Sequence, residues 1–313
     1  MAVGARPLVP SRLTSGGISA HEGKRAPKSK VGSYVALTKP RIIELLLITT
    51  IPTMVVANKA WPSWKLMLAT LIGGTLSAGG ANAVNMYVYR DIDKLMPRTQ
   101  GRPLATGAIS ERGALVFAVA LQIVAFVVLT AFVNLLSAVL ALSAAAFYVF
   151  VYTLWLKRTS KQNIVIGGAA GAVPVLIGWS SVTNSLAWAP FVLFVVMFLW
   201  TPPHFWALAI RYADDYRAAG VPMLPVVESF ESTSRKMLAY TVALVIGSLV
   251  FWPVAGLSAM YGVAATVLGG LFIWGCIDLT HDATPKKAMR LFGFSITYVT
   301  LLFGAMMVDT LVH

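Results

Sequence analysis

Four carboxylates occupy two short stretches of a chain that otherwise avoids charge, and their neighbours suit them to a divalent cation. In the first stretch Asn82, Asn85, Tyr89 and Asp93 recur at intervals of three, four and four. That spacing puts them on one face of a helix, with Asp91 off the stripe. In the second stretch Thr201, His204, Arg211 and Asp215 repeat the idea, with Leu208 filling the gap and Asp214 alongside. Oxygen-only ligands drawn from Asn85, Asp91, Asp93, Asp214 and Asp215 suit Mg2+, which keeps part of its water and bridges to phosphate. A second reading pairs the same acids with Arg90, Arg98, Arg211 or Arg217.

Both stretches run into a loop of the form R-x-x-G-x-P: Arg98, Gly101 and Pro103, then Arg217, Gly220 and Pro222. The repetition points to an internal duplication of a four-helix unit. Lys39 and Arg41, Lys157 and Arg158, and Arg98 and Arg102 supply cations on the same side of the chain. A carboxylate-bound metal with convergent Lys and Arg is what a diphosphate requires, because the metal neutralises it and arginine holds it bidentately. Neither a P-loop nor a GxGxxG motif is present, so a nucleotide is not indicated. A diphosphate ester with an apolar tail fits instead. Lys157 and Arg158 serve equally well as membrane anchors.

The elements that must position these groups follow from composition. Of 313 residues, 58% are hydrophobic and 12% charged, with a mean hydropathy of +0.75. A soluble chain carries roughly twice that charged fraction. Nine apolar segments are long enough to cross a bilayer, near 42–58, 64–90, 112–132, 135–156, 163–182, 187–212, 237–256, 259–278 and 289–309. Lipid offers no hydrogen bonds to the backbone, so the segments are helices. The expectation is an all-α polytopic membrane protein with nine transmembrane helices in one domain, residues 33–313. A basic tail, 1–32, is expected to be disordered in the cytosol, although its first residues also carry the Arg and Ser of a transit peptide. The Gly- and Ala-rich segment 163–182 predicts close helix packing. The lone Cys276 excludes a disulfide framework and a CxxC pair.

The formal charge of +13 resolves once each cation is placed on this map. Eight Lys and Arg precede the first segment, and the connections after segments two, four, six and eight hold five, three, four and three. Only Lys59 and Lys65 fall on the other side. The N-terminus is therefore expected in the cytosol and the C-terminus outside. The excess reads as topology, so no nucleic-acid partner is expected. Asp91, Asp93, Asp214 and Asp215 then lie at the cytosolic C-terminal ends of predicted helices, where the macrodipole disfavours acids and a cation is needed. Pro202 and Pro203 are expected to interrupt the sixth helix just before His204.

NMYVYRDIDKLMPRTQGRPLATG (85–107) and TPPHFWALAIRYADDYRAAGVPMLPVV (201–227) resemble the two Asp-rich motifs of the UbiA-type intramembrane prenyltransferases. LTKPR (37–41) and YTLWLKRTSKQNIVIGG (152–168) are similar to that family as well. The resemblance spans roughly residues 34–305 and implies a nine-helix UbiA-type bundle with its catalytic face on the cytosolic or matrix side. Within the superfamily it points to members that transfer the farnesyl group of farnesyl diphosphate to the 2-vinyl group of protoheme IX, with Mg2+ assisting and water completing the side chain. It implies Asn85, Asp91 and Asp93 as one metal motif and Asp214 and Asp215 as the other. Asp93, Asp215 and Arg211 are then catalytic, and Lys39, Arg41, Arg98, Arg102, Lys157 and Arg158 bind diphosphate.

His204 becomes the residue that meets heme, as an axial ligand or a propionate partner; hydrogen bonding to a carbonyl freed by the prolines is the alternative. The implied partners are the bilayer and a heme A synthase downstream. The implied location is the cell membrane, with the mitochondrial inner membrane as the alternative. One departure stands out: the family pattern is Asn-x-x-x-Asp-x-x-x-Asp, and Tyr89 occupies the middle acid's position. A prenyltransferase acting on a quinone precursor and a secondary transporter are the competing functions. Transporters place such acids near the bilayer midplane, whereas these lie at helix ends.

Overall fold

The computed structural model describes residues 29–282 and 284–313, with the backbone alone for 41–47. Residues 1–28, most of the expected tail, lie outside the described residues; Ser29 caps the first helix, α1 (Lys30–Leu37), through its side chain. Then follow α2 (Pro40–Asn58), α3 (Trp64–Val88), α4 (Arg90–Leu95) and α5 (Glu111–Phe132). Next, α6 (Leu135–Ala146) runs through a π-helical stretch, Phe147–Leu156, into α7 (Lys157–Thr159). The remainder is α8 (Asn163–Thr183), α9 (Trp188–Arg211), α10 (Ala213–Ala218), α11 (Leu224–Val227), α12 (Phe230–Val254), α13 (Ala259–His281) and α14 (Pro285–Val312).

The fold is all-α, with no strand among the described residues. Among the described residues, eight helical runs are long and apolar enough to cross a membrane: α3, α5, α6 with its π extension and α7, α8, α9, α12, α13 and α14. The first expected span corresponds to α2, a 19-residue helix. In packing, α9 lies against α8, α12 and α14, while α2 lies against α8 and α14 and so closes the bundle between its ends. The small residues of α8 permit this. A Cβ on Gly178 would stand 2.8 Å from the Thr50 carbonyl oxygen of α2, and one on Gly168 would stand 2.8 Å from the Thr201 methyl of α9. Trp200 and Trp206 are buried inside the bundle, while Trp155 and Trp188 are exposed near helix ends.

Three expectations are corrected. The Asn82–Asp93 stripe is not one helix: α3 stops at Tyr89, whose backbone sits at φ −102°, ψ 14°, and the chain restarts as α4. The four acids are therefore not at the unfavourable ends of long helices. Asp91 and Asp93 lie in the first turn of α4, and Asp214 and Asp215 in the first turn of α10, where the macrodipole favours them. Finally, Pro202 and Pro203 do not interrupt α9, which is continuous from Trp188 to Arg211. Each proline removes one backbone bond, but the neighbouring helices and the surviving bonds keep the helix intact, as lipid demands.

Candidate active site

The two acidic stretches share a local design. Tyr212 ends α9 at φ −112°, ψ 25°, close to the conformation of Tyr89, and α10 restarts as α4 does. Each tyrosine ring carries a cation. The Lys157 ammonium lies 3.7 Å from the Tyr89 ring centre, and the Arg98 guanidinium 4.9 Å from that of Tyr212. In both restarts the acid two residues after the tyrosine faces outward and pairs with arginine. Asp91 takes Arg158 at 2.8 Å, and Asp214 takes Arg217. The next acid in each turn is less exposed: Asp93 is buried and Asp215 half-buried.

Asp93 is 1% exposed, and Arg102 holds both of its oxygens at 2.8 and 2.9 Å. Thr99 fastens the loop between them by donating to the Asp93 carbonyl at 2.9 Å. Asp215 is half-buried, and its carboxylate has no hydrogen-bond or ion-pair partner among the described residues. Every other described acid has one. Asn85 is 1% exposed, donates to the Thr153 hydroxyl at 3.0 Å and accepts from the Lys39 ammonium at 2.9 Å.

Lys39 is held in place by its backbone, in the left-handed region at φ 54° just before Pro40. Burial lowers its ammonium to about 7, with Arg102 and Arg98 adding repulsion and Asp93 opposing them. The cluster thus has more cation than it can satisfy, which is the electrostatic signature of a site for an anion. Arg98 also bonds the Tyr216 hydroxyl at 2.6 Å, so the loop after α4 is tied to α10. That contact brings the two acidic turns to one face of the bundle.

The structure gathers Lys39, Asn85, Asp93, Arg98, Arg102 and Lys157 around the end of α3 and α4, with α10 linked through Arg98. Asp91 and Arg158 neutralise each other at an exposed edge, and the Arg41 side chain lies outside the described residues. Arg211 has no bond to this cluster. It lines a separate cleft with the start of α14. His204 is buried, stacked between Trp200 and Phe292 at 4.2 and 4.5 Å, and its Nδ1 bonds Ser295 Oγ at 2.7 Å rather than a carbonyl freed by proline.

Sequence reasoning missed Thr153, which meets both Asn85 and the Tyr89 hydroxyl, and Ser295. Both act across helices, and nothing local marks them. The R-x-x-G-x-P repeat has no common conformation: Gly220 is left-handed at φ 65° and Gly101 is not. The repeated tyrosine break is the better trace of duplication.

No three His, Cys, Asp or Glu side chains converge among the described residues. The donor set Asn85, Asp93 and Asp215 still fits Mg2+, which binds through one or two carboxylates and completes its shell with water and substrate phosphate. The unpartnered Asp215 carboxylate is the observation that supports the fit.

Residues 46–301 match the UbiA prenyltransferase family. The chain belongs to that family. As a UbiA prenyltransferase it is a multi-pass membrane enzyme. It is 51% identical over 285 residues to the protoheme IX farnesyltransferase of Clavibacter michiganensis subsp. michiganensis, covering 90% of this chain and 93% of that one. Its fold matches a digeranylgeranylglyceryl phosphate synthase with a TM-score of 0.76 at 18% identity, covering 91% of this chain and 99% of that chain. It also matches a UbiA homologue of Archaeoglobus fulgidus bound to GPP and Mg2+, with a TM-score of 0.57 at 16% identity, covering 88% and 99%.

Proposed function

We propose that this UbiA prenyltransferase transfers the farnesyl group of farnesyl diphosphate to the 2-vinyl group of protoheme IX, giving heme O for heme–copper oxidases. The observation that carries this reading is the 51% identity with a protoheme IX farnesyltransferase over nearly the whole chain. The site supports it with a buried cation cluster beside two acids at one end of the helices.

Asn85 near the end of α3, Asp93 in the first turn of α4 and Asp215 in the first turn of α10 would hold Mg2+, with Asp91 and Asp214 beside them. These residues would thereby supply a metal charge that neutralises the diphosphate as it departs. Lys39, Lys157, Arg98 and Arg102 bind the phosphate oxygens, with Arg41 and Arg158 at the rim. Arg102 leaves Asp93, and Lys39 leaves Asn85, when the anion gives them stronger partners. The C1–O bond of the farnesyl group breaks with diphosphate as the leaving group, and the terminal vinyl carbon of protoheme IX bonds to C1. Water then adds to the adjacent carbon and loses a proton to the solvent. The tyrosines along the π stretch, Tyr148 and Tyr152, wall the cation from early water.

The charge map supports a cytosolic N-terminus and active face, and the proposed location is the cell membrane, with residues 1–32 as a basic tail ahead of the catalytic domain 33–313. A heme A synthase consumes the product. The test is to incubate membranes carrying the chain with protoheme IX, farnesyl diphosphate and Mg2+ and to separate porphyrins by mass. A product heavier by one farnesyl group and one hydroxyl supports the proposal. Unchanged protoheme IX from folded protein refutes it.

A further inference from the structure

The π-helical stretch, Phe147–Leu156, is the least regular part of the bundle, and such winding is rare and recurs at functional sites. It meets the polar stripe of α3 at three levels. The Tyr148 hydroxyl donates to Asn82 Oδ1 at 3.4 Å, the Thr153 hydroxyl accepts from Asn85 Nδ2 at 3.0 Å, and the Lys157 ammonium lies on the Tyr89 ring. The Tyr89 hydroxyl adds a bond to the Thr153 carbonyl. A step of seven residues along α3, from 82 to 89, thus faces a step of nine, from 148 to 157.

Winding accounts for the mismatch. At the α-helical pitch, Thr153 and Lys157 would lie roughly 140° and 180° round the axis from Tyr148 and could not meet the same neighbour. Turns closed by i→i+5 bonds are wider, so positions five and nine residues on return close to the starting face. The π stretch therefore carries Thr153 to Asn85. The contact is fully enclosed, with Thr153 0% and Asn85 1% exposed.

At Asn85 the partners distinguish the two ends of the amide. An ammonium only donates, so the atom 2.9 Å from Lys39 Nζ is the amide oxygen, and the NH2 is the end turned to Thr153. Those two contacts hold the orientation together. In the proposed reaction Lys39 leaves Asn85 for the phosphate oxygens, and one of the two is lost. Among the described residues, the Thr153 hydroxyl is then the one side-chain partner that Asn85 keeps. A reversed amide would aim N–H groups at a cation and remove an oxygen ligand.

We propose that Thr153 is a positioning residue of the metal site: its hydroxyl, carried inward by the π stretch, keeps the Asn85 oxygen turned to Mg2+ once diphosphate has drawn Lys39 away. This rests on the reading of Asn85 as a metal ligand and adds a group that touches neither the metal nor the substrate. Loss of such a ligand-orienting group costs about 10–100-fold in metal affinity or activity.

The test is binding of labelled farnesyl diphosphate by full-length protein in nanodiscs of zwitterionic lipid. It is measured across a Mg2+ titration for wild type, Thr153→Val and Thr153→Ser, with melting temperatures alongside. Valine keeps the shape without the hydroxyl, and serine keeps the hydroxyl. Thr153→Val is expected to raise the Mg2+ midpoint about tenfold and to regain wild-type binding at saturating Mg2+. Thr153→Ser should restore the wild-type midpoint. An unmoved midpoint in Thr153→Val, or one raised equally in Thr153→Ser, overturns the proposal. So does a weakening of the same size at every Mg2+ concentration, which would make the hydroxyl a direct diphosphate ligand. Where the valine variant does not fold, Thr153→Ala takes its place, with the same shift expected and an unmoved midpoint equally contrary. If binding by wild type does not depend on Mg2+, the metal reading itself fails. If it does, and the valine midpoint matches wild type, only the role of Thr153 is wrong.

Discussion

Tyr89 and Tyr212 end two helices far apart in the chain with nearly the same backbone turn, φ −102°, ψ 14° and φ −112°, ψ 25°. Each is followed by a six-residue helix carrying two acids in its first turn, and each ring bears a cation. The turns sort the acids. Asp91 and Asp214 go outward to arginines, while Asp93 is buried and Asp215 half-buried.

Asp93 and Arg102 form the most enclosed ion pair of the cluster, with side chains 2% and 28% exposed. Asp93→Asn removes the charge but keeps the shape. It should lower turnover by at least about 100-fold, which is about 2.7 kcal/mol of barrier. It should also cost about 2 kcal/mol of stability, because Arg102 loses its partner among other cations. Product formation and thermal melting of the purified variant check the two numbers separately.

Asp215 gives the opposite signature. Its carboxylate has no partner among the described residues, so Asp215→Asn should leave the melting temperature unchanged or slightly raised. Turnover should fall as far as in Asp93→Asn. A variant that melts earlier but turns over normally would mean that Asp215 is structural.

Tyr89 separates two roles. Tyr89→Phe keeps the ring under Lys157 and loses the hydroxyl's bond to the Thr153 carbonyl and its contact with Arg158, so it should cost about 1 kcal/mol of stability with little change in KM for farnesyl diphosphate. Tyr89→Leu removes the ring's attraction as well and should raise that KM about fivefold, from a cation–π contact of about 1 kcal/mol. Steady-state kinetics of the pair distinguish the effects.

Glu228 supplies a pH dependence outside the membrane. Bonds from Lys236, Ser232 and Lys161 hold its carboxyl at about 2, against an ordinary value of 4.5. A carboxyl depressed in the folded state stabilises above its unfolded value and loses that contribution as pH falls from about 4.5 towards 2. Wild type should melt above Glu228→Gln at pH 6, and the gap should close as pH is lowered through this window. A gap as wide at pH 2 as at pH 6 would contradict the assignment.

Much of the site was legible because polar residues are rare in a spanning helix. Asn85, Asp93, Asp215 and the basic loops stood out for that reason, and the family motifs followed. The break at Tyr89 was not legible, since no Gly or Pro marks it, and a continuous stripe was the natural reading. The prolines before His204 misled in the other direction, because lipid and neighbouring helices hold α9 straight through them. Arg211 shared a helical face with His204 in sequence, but only the packing shows that both lie against α14. Lys39 on Asn85 and Ser295 on His204 join positions 46 and 91 residues apart, which no local spacing encodes.

The central claim is that the two acidic turns form one site for a metal-bound prenyl diphosphate. Binding of labelled farnesyl diphosphate, measured across a Mg2+ titration with wild type, Asp93→Asn and Asp215→Asn, tests it most directly. The account predicts Mg2+-dependent binding in wild type and its loss in each single variant, with heme binding retained. Undiminished Mg2+-dependent binding in either variant would contradict it.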